Sequence, residues 1–257
     1  MSFVDTHLHL LPGLDDGPST MEDSLALAEA LIADGVTEAA ATPHANYQFS
    51  YVPARVAGLV EDLRSRLDGR LRVHAGCELH LSYENVQAAA ENPRLYSLNG
   101  SRYLLVEFPE YFERTAMGNA LQRFRDLGLA PVLAHPERNP VLQQHPEALR
   151  EYLRMGCLAQ VTASSFTGRF GKRAEQMSAE LLEQECIHVV ATDAHAAVQR
   201  PPRMSKAHAW IREHGGPEIA DALCRDNPQA MLEDRALPYA PALPASKRKS
   251  IWARFRP

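Results

Sequence analysis

The stretch DTHLHLLPGLDDG, residues 5–17, decides how the rest of the chain is read. His7 and His9 stand two apart in an apolar run, Phe3–Leu10 (FVDTHLHL), and Asp15 and Asp16 follow just before Gly17. Alternate residues of a strand share a face, so both imidazoles point one way while Leu8 and Leu10 point the other. Four polar donors within one strand and its turn suggest a metal site, provided that other strands bring more donors to the same place.

Six more short apolar runs follow: Thr37–His44, Leu71–Leu79, Tyr103–Phe108, Ala130–His135, Cys157–Thr162 and Ile187–His195. Helical patterns fill most of the gaps, at Ser19–Asp34, Pro53–Leu67, Met117–Leu127, Pro146–Met155 and Arg169–Gln184, with Met204–His214 and Pro217–Arg225 after the last run. The first helix opens on Ser19 and Thr20 with Glu22 behind them, a capping signal. Strand alternating with helix predicts an α/β fold built on a parallel sheet, either a closed barrel or an open doubly wound sheet. No GxGxxG follows the first strand and no GxxxxGK[ST] occurs, so the nucleotide-binding open sheets lose their usual support.

In parallel α/β folds the active site forms at the carboxyl edge of the strands. The strand ends here carry His7 and His9, His44, Glu78, Glu107, His135, and Asp193 with His195; only the sixth strand ends without a strong ligand. A buried cluster of carboxylates and imidazoles is costly through desolvation and mutual repulsion unless cations compensate it. Nitrogen and oxygen donors without thiolate suit borderline to hard cations: manganese, iron, zinc, cobalt or magnesium; of these manganese is the expected ion. The donors exceed what one ion needs, so two or three divalent ions are expected, with Glu78 bridging. His74 shares the parity of Glu78 but lies too deep in its strand, and His80 lies past the end. Arg138, in HPER, and Arg200, in DAHAAVQRPP, fall in loops at the same edge. Guanidinium forks bind phosphate, which favours phosphate ester hydrolysis over amide hydrolysis.

Composition narrows the alternatives. The 257 residues are 45% apolar, enough for a packed core, with a proline-rich then basic tail over residues 237–257 appended to a domain of residues 1–236. That tail is expected to lack fixed structure until it meets a partner. A net charge of −5 argues against nucleic acid as a partner. No apolar run approaches the ~20 residues of a membrane span, and the N-terminus has no secretory signal pattern. Cys77, Cys157, Cys186 and Cys224 form no CxxC, so reduced thiols and a cytoplasmic location are expected. None has arginine six residues on, since Tyr83, Ala163, Thr192 and Ala230 stand there, which excludes a cysteine-dependent phosphatase. No GxSxG elbow supports a serine hydrolase.

HLHLLPGLDDG, ATPH, GCELHL, LLVEFP, LAHPERN, SSFTGRFG and TDAHAAVQRPP, in this order from about residue 3 to about residue 232, resemble the polymerase and histidinol phosphatase (PHP) superfamily. More narrowly, the chain resembles the bacterial capsule-type protein-tyrosine phosphatases of the CpsB/CapC/YwqE type. The resemblance implies a distorted seven-stranded (β/α)7 TIM-like barrel with a trinuclear centre. His7, His9, Glu78 and Asp193 would hold one metal, Glu78, Glu107 and His135 the second, and Asp16, His44 and His195 the third. Asp16 is preferred to Asp15 because the family ligand immediately precedes the glycine. Arg138 and Arg200 match the phosphate-contacting arginines. The implied reaction is hydrolysis of phosphotyrosine on the tail of a bacterial tyrosine kinase or polysaccharide copolymerase, regulating capsule or exopolysaccharide production. Metal-activated water would attack phosphorus in line with the leaving phenolate, and Asp193 or a nearby histidine would pass a proton to the departing oxygen. Tyr47, Phe49, Tyr51, Phe112 and Phe166 are expected to line the approach. The alternatives are a histidinol-phosphatase-like enzyme for small molecules and a metal-binding regulatory protein without catalysis. His80, and TASSFTG in place of the usual NAGSLTG, depart from the family pattern and leave substrate preference open.

Overall fold

The computed structural model describes residues 2–241; residues 242–257, most of the expected tail, lie outside the described residues. The strands are β1 (Phe3–Leu8), β2 (Val36–Ala41), β3 (His44–Ala45), β4 (Arg72–Ala75), β5 (Glu78–His80), β6 (Tyr103–Glu107), β7 (Ala130–Ala134), β8 (Leu158–Thr162) and β9 (Val189–Ala191). All pair in parallel, in two sheets ordered β1-β2-β4 and β3-β5-β6-β7-β8-β9, with helices between them. The chain therefore has an α/β fold, as its strand–helix alternation predicts.

Two of the expected strands are each broken in two. Thr37–His44 divides at Thr42–Pro43, where proline has no N–H to continue a ladder. Leu71–Leu79 divides at Gly76–Cys77. A Cβ on Gly76 would sit 2.9 Å from Thr42 Cγ2 and 3.1 Å from Leu98 Cδ2, so glycine is required there for close approach. Backbone hydrogen bonds span both breaks: Thr42 N to Leu8 O at 2.9 Å, Gly76 N to Ala41 O at 2.9 Å, and Glu78 N to Pro43 O at 3.1 Å. The first helix, Met21–Ala33, also starts differently from the expected Ser19–Glu22 pattern. Its capping box is Thr20 with Asp23, one residue later, because Thr20 is the last residue in extended conformation.

The strand faces sort the apolar residues into two clusters. Leu104 and Val106 of β6 join the large cluster that includes Leu27, Leu31 and Val60 of the helices. Tyr103 and Leu105 join a smaller cluster with Val4, Ala40, Val132 and Val189, closed off by Leu98, Met231 and Leu232. Further along β6 the second face carries Glu107, so apolar residues fill one end of that face and polar residues occupy the other. Leu237 and Tyr239 still pack on these clusters. Among the described residues no helix is long and apolar enough to cross a membrane.

His188, just before β9, is 6% exposed, and its Nδ1 accepts from Ala159 N at 3.2 Å. Burial pushes its pKa down from the ordinary 6.5 to about 4, outweighing a backbone hydrogen bond at Cys186 that favours the proton. An unfolded chain takes up this proton near 6.5, whereas the folded chain resists it until about 4. Stability is therefore lost as pH falls through that window, by on the order of 3 kcal/mol at most. Denaturant midpoints from pH 7 to 4 should fall more steeply for the wild type than for His188→Asn, which keeps an acceptor for Ala159; parallel curves would refute this.

Candidate metal centre

The carboxyl ends of the strands converge. Glu78, at the start of β5, is fully buried, and its carboxylate is ringed by imidazoles: His135 Nε2 at 2.8 Å, His44 Nδ1 at 2.9 Å, His7 Nε2 at 3.2 Å and His9 Nε2 at 3.3 Å. Asp193 Oδ1 lies 3.5 Å from both His7 Nε2 and His9 Nε2. Glu107 Oε2 is 3.9 Å from His44, and Asp16 Oδ1 is 3.4 Å from His195 and 3.6 Å from His44. The nine expected ligand residues fall into four overlapping groups with donor atoms close enough to share a cation: His9, Asp16, His44 and His195; His7, Glu78 and His135; His7, His9 and Asp193; and His44, Glu78 and Glu107. Glu107 also lies 3.8 Å from His135 Nε2, so His44 and His135 both stand beside it.

Backbone strain aims two of these residues. Strand parity places His135 with Leu133 on the helix side, but φ of +34° at His135 turns its ring into the cluster. Asp193 likewise adopts φ of +51°. Left-handed backbone at non-glycine residues is costly and clusters at functional sites. On β1, register shifts on either side of Val4–Asp5 put Phe3 and Leu8, five apart, in the same outer cluster, so simple alternation does not hold along the whole strand.

The donor set fits divalent cations. Among the buried atoms without a hydrogen-bond partner are His7 Nε2, His9 Nε2, His44 Nδ1 and Glu78 Oε2. These atoms approach one another without hydrogen-bond geometry, as donors turned toward a shared cation do. The opposite ring nitrogens of His7 and His9 are already tied. His9 Nδ1 is 2.6 Å from Asp15 Oδ2, and His7 Nδ1 is 2.9 Å from Gln160 Oε1. Fixing Nδ1 in this way orients the ring and presents Nε2 as the donor. Burial opposes charge on Glu78, yet His7, His135 and His44 hold its carboxyl well below the ordinary range. Burial likewise opposes a proton on His9, but Asp15, Asp193 and Glu78 raise its pKa well above the usual value. The field that favours protons on these rings also favours a cation, and the two compete for one lone pair.

Asp15 supports the cluster from behind, and Gln160, Asp5 and Glu137 add contacts that residue spacing does not single out. Asp15 is buried and caps Gly17 N and His44 N as well as His9, whereas Asp16 is half exposed and faces His44 and His195. β8, the strand expected to end without a strong ligand, instead supplies Gln160, whose Oε1 lies against His7 Nδ1; its shared parity with Thr162 at the strand end is the available signal. Asp5 joins β1 to the β9 end by accepting from His7 N, Thr192 N and Thr192 Oγ1. Glu137 Oε1 accepts from Thr162 N and Ser165 Oγ.

Arg138 and Arg200 both donate to Asp193 Oδ2, and Arg200 also lies 3.0 Å from His195 Nε2. A groove of ≈ 720 Å³ opens beside them, lined by Asp16, Ser19, His195, Val198 and Arg200. Three aromatic expectations need correction. Tyr51 donates to the Gly76 and Leu95 carbonyls, Phe112 stacks on Phe108, and Phe166 is buried against Trp210; all three pack the fold. Tyr47 is fully open and Phe49 stacks on His44, so these two remain at the edge, and exposed Tyr111 and Val198 join them. His80 Nδ1 lies 3.5 Å from Glu107 but belongs to none of the four groups, and His74 pairs with Glu38 at 2.7 Å, away from them.

The family model described as capsular polysaccharide synthesis, CpsB/CapC, matches residues 3–233. The tyrosine-protein phosphatase YwqE of Bacillus subtilis is 34% identical over 254 residues, covering 96% of this chain and 98% of the relative. The tyrosine-protein phosphatase CpsB of Streptococcus pneumoniae is 28% identical over 243 residues, covering 91% and 100%. A solved structure described under YwqE and CpsB, unique metal-dependent tyrosine phosphatases, superposes with a TM-score of 0.85 at 31% identity over 95% of this chain and 100% of that one. A histidinol phosphate phosphatase from Lactococcus lactis shares the fold at a TM-score of 0.59 and 15% identity, over 84% and 95% of the two chains.

Gly17 tests the coupling between the turn and the cluster. A Cβ there would lie 2.8 Å from His9 Cβ and 3.0 Å from Asp15 Oδ1. Gly17→Ala should displace the Asp15–His9 pair and weaken metal binding about tenfold, with Gln160→Leu acting similarly through His7. Metal titration followed by calorimetry checks this, and wild-type affinity in both variants would separate these residues from metal binding.

Proposed function

The chain belongs to the CpsB/CapC family of capsular polysaccharide synthesis, and from that premise we propose that it is a metal-dependent protein-tyrosine phosphatase acting in polysaccharide production. The observation that carries the reading is the meeting of nine ligand-type residues with two arginines at one edge of the fold. His7, His9, Glu78 and Asp193 would hold one cation, Glu78, Glu107 and His135 a second, and Asp16, His44 and His195 a third, with manganese as the favoured ion. Bound there, the ions supply Lewis-acid stabilisation of phosphate oxygens and water of lowered pKa.

The chain's own residues do the remaining work. Arg138 and Arg200 take the phosphoryl oxygens, and Asp193, bonded to both, keeps their guanidiniums turned inward. Tyr47 and Tyr111 stand open at the edge, where the phenyl ring and flanking residues of a phosphotyrosyl segment arrive. An edge site of this kind suits a tyrosine on an extended tail, such as that of a polysaccharide-copolymerase tyrosine kinase at the cytoplasmic face of a membrane. We also read the two sheets as one distorted seven-strand (β/α)7 barrel within a domain of residues 1–236. The hydrogen bonds across the breaks in the second and third strands support that reading, as do the Leu8–Ala194 bridge and the Asp193 N to His7 O bond of 2.8 Å.

Chelation should abolish hydrolysis of p-nitrophenyl phosphate, and manganese should restore it. Activity that survives complete metal removal would defeat the assignment. A phosphotyrosyl peptide should exceed histidinol phosphate in kcat/KM by at least about tenfold, since exposed Tyr47 and Tyr111 at the edge offer contacts to a ring and flanking residues; the reverse preference would favour the small-molecule reading. Arg138→Ala should raise KM about tenfold without lowering the thermal midpoint.

A further inference from the structure

The loop after β8 carries an aromatic side chain that the proposed chemistry leaves unused. Arg138 Cζ lies 4.2 Å from the centre of the Phe170 ring, and Arg200 Cζ lies 5.4 Å from it. One ring therefore serves two guanidiniums that also share a single oxygen, Asp193 Oδ2. Like charges this close repel, and the negative face of an aromatic ring offsets part of that repulsion. Asp193 is also a cluster donor, so a cation competes with the arginines for its charge. No cation competes for the ring.

The ring's own position is fixed from both sides. Gly168 and Gly171 flank it at φ of +76° and +87°, and Gly171 N donates to Gly168 O at 3.1 Å. Glu137, the neighbour of Arg138, accepts from Ser165 Oγ at 2.7 Å, and Arg169 donates to the carbonyl of Gln199, the neighbour of Arg200. The Phe170 loop is thus fastened to both loops that carry the arginines.

We propose that Phe170 is a positioning residue whose ring presets Arg138 and Arg200 at the spacing that grips the phosphoryl oxygens. This rests on the reading of those arginines as phosphate ligands. Long guanidinium side chains lose rotamer freedom when they bind an anion, and a ring that already restrains them removes part of that loss before substrate arrives.

The test uses the manganese-loaded full chain, with inorganic phosphate as probe by calorimetry and p-nitrophenyl phosphate for kinetics. Phe170→Leu and Phe170→Met should weaken phosphate binding and raise KM about fivefold, with kcat changed by less than about twofold. Phe170→Tyr should recover most of the loss. Comparison is made on preparations with wild-type metal content and thermal midpoint, which a partly exposed side chain permits. Unchanged phosphate affinity in both aliphatic variants, while Arg138→Ala and Arg200→Ala bind phosphate weakly, would overturn the proposal and leave the arginine reading intact. A loss confined to kcat, or one that tyrosine does not recover, would also overturn it. Wild-type phosphate affinity in the arginine variants would instead remove the reading beneath it.

Discussion

A fully buried carboxylate, Glu78, faces imidazoles from three other segments of chain at 2.8–3.3 Å. Such a group is tolerated in a protein interior only when opposite charge surrounds it. The strand ends of β1, β3, β5 and β7 must therefore meet at one point, and the breaks in the second and third strands allow it. Proline at 43 and glycine at 76 interrupt regular pairing just where the chain bends toward the cluster, while single hydrogen bonds carry the connection across.

The donors would not hold their aim without a surrounding layer. Asp15 and Gln160 grip the far sides of His9 and His7, Asp5 ties the first strand to the last, and Glu137 fastens the Arg138 segment to the loop after β8. Each of these side chains is buried or nearly so, and each spends its hydrogen-bonding capacity on a site residue or on a neighbour of one. The left-handed backbone at His135 and Asp193 is held in place by the same network. Precision in a polar site comes from such supports, because ligand side chains alone have too many rotamers.

Much of this was legible from residue order. The DTHLH run, the spacing of histidines and carboxylates at strand ends and the two arginines named the candidate cluster, because strand period and the carboxyl-edge rule depend only on local sequence. Parity failed where the backbone departs from an ideal strand: at His135, which the ladder alone would turn outward, and along β1, whose register shifts. The aromatics at the edge were misread for a related reason. Tyr51 and Phe166 look like surface aromatics in loop sequence, but the Leu95 carbonyl that holds Tyr51 and the Trp210 ring beside Phe166 come from remote segments, while Phe112 stacks on nearby Phe108.

The sequence by itself determined the class of fold, the candidate donor residues and the family, because these are written in types and spacings along the chain. Tertiary structure alone decided which nitrogen each histidine presents, why Asp15 orients while Asp16 faces the cluster, and that Phe170 lies against both arginines. Those facts depend on contacts of 2.6–5.4 Å, most of them between segments 30 or more residues apart, or on backbone torsions at single residues, and no local pattern encodes either.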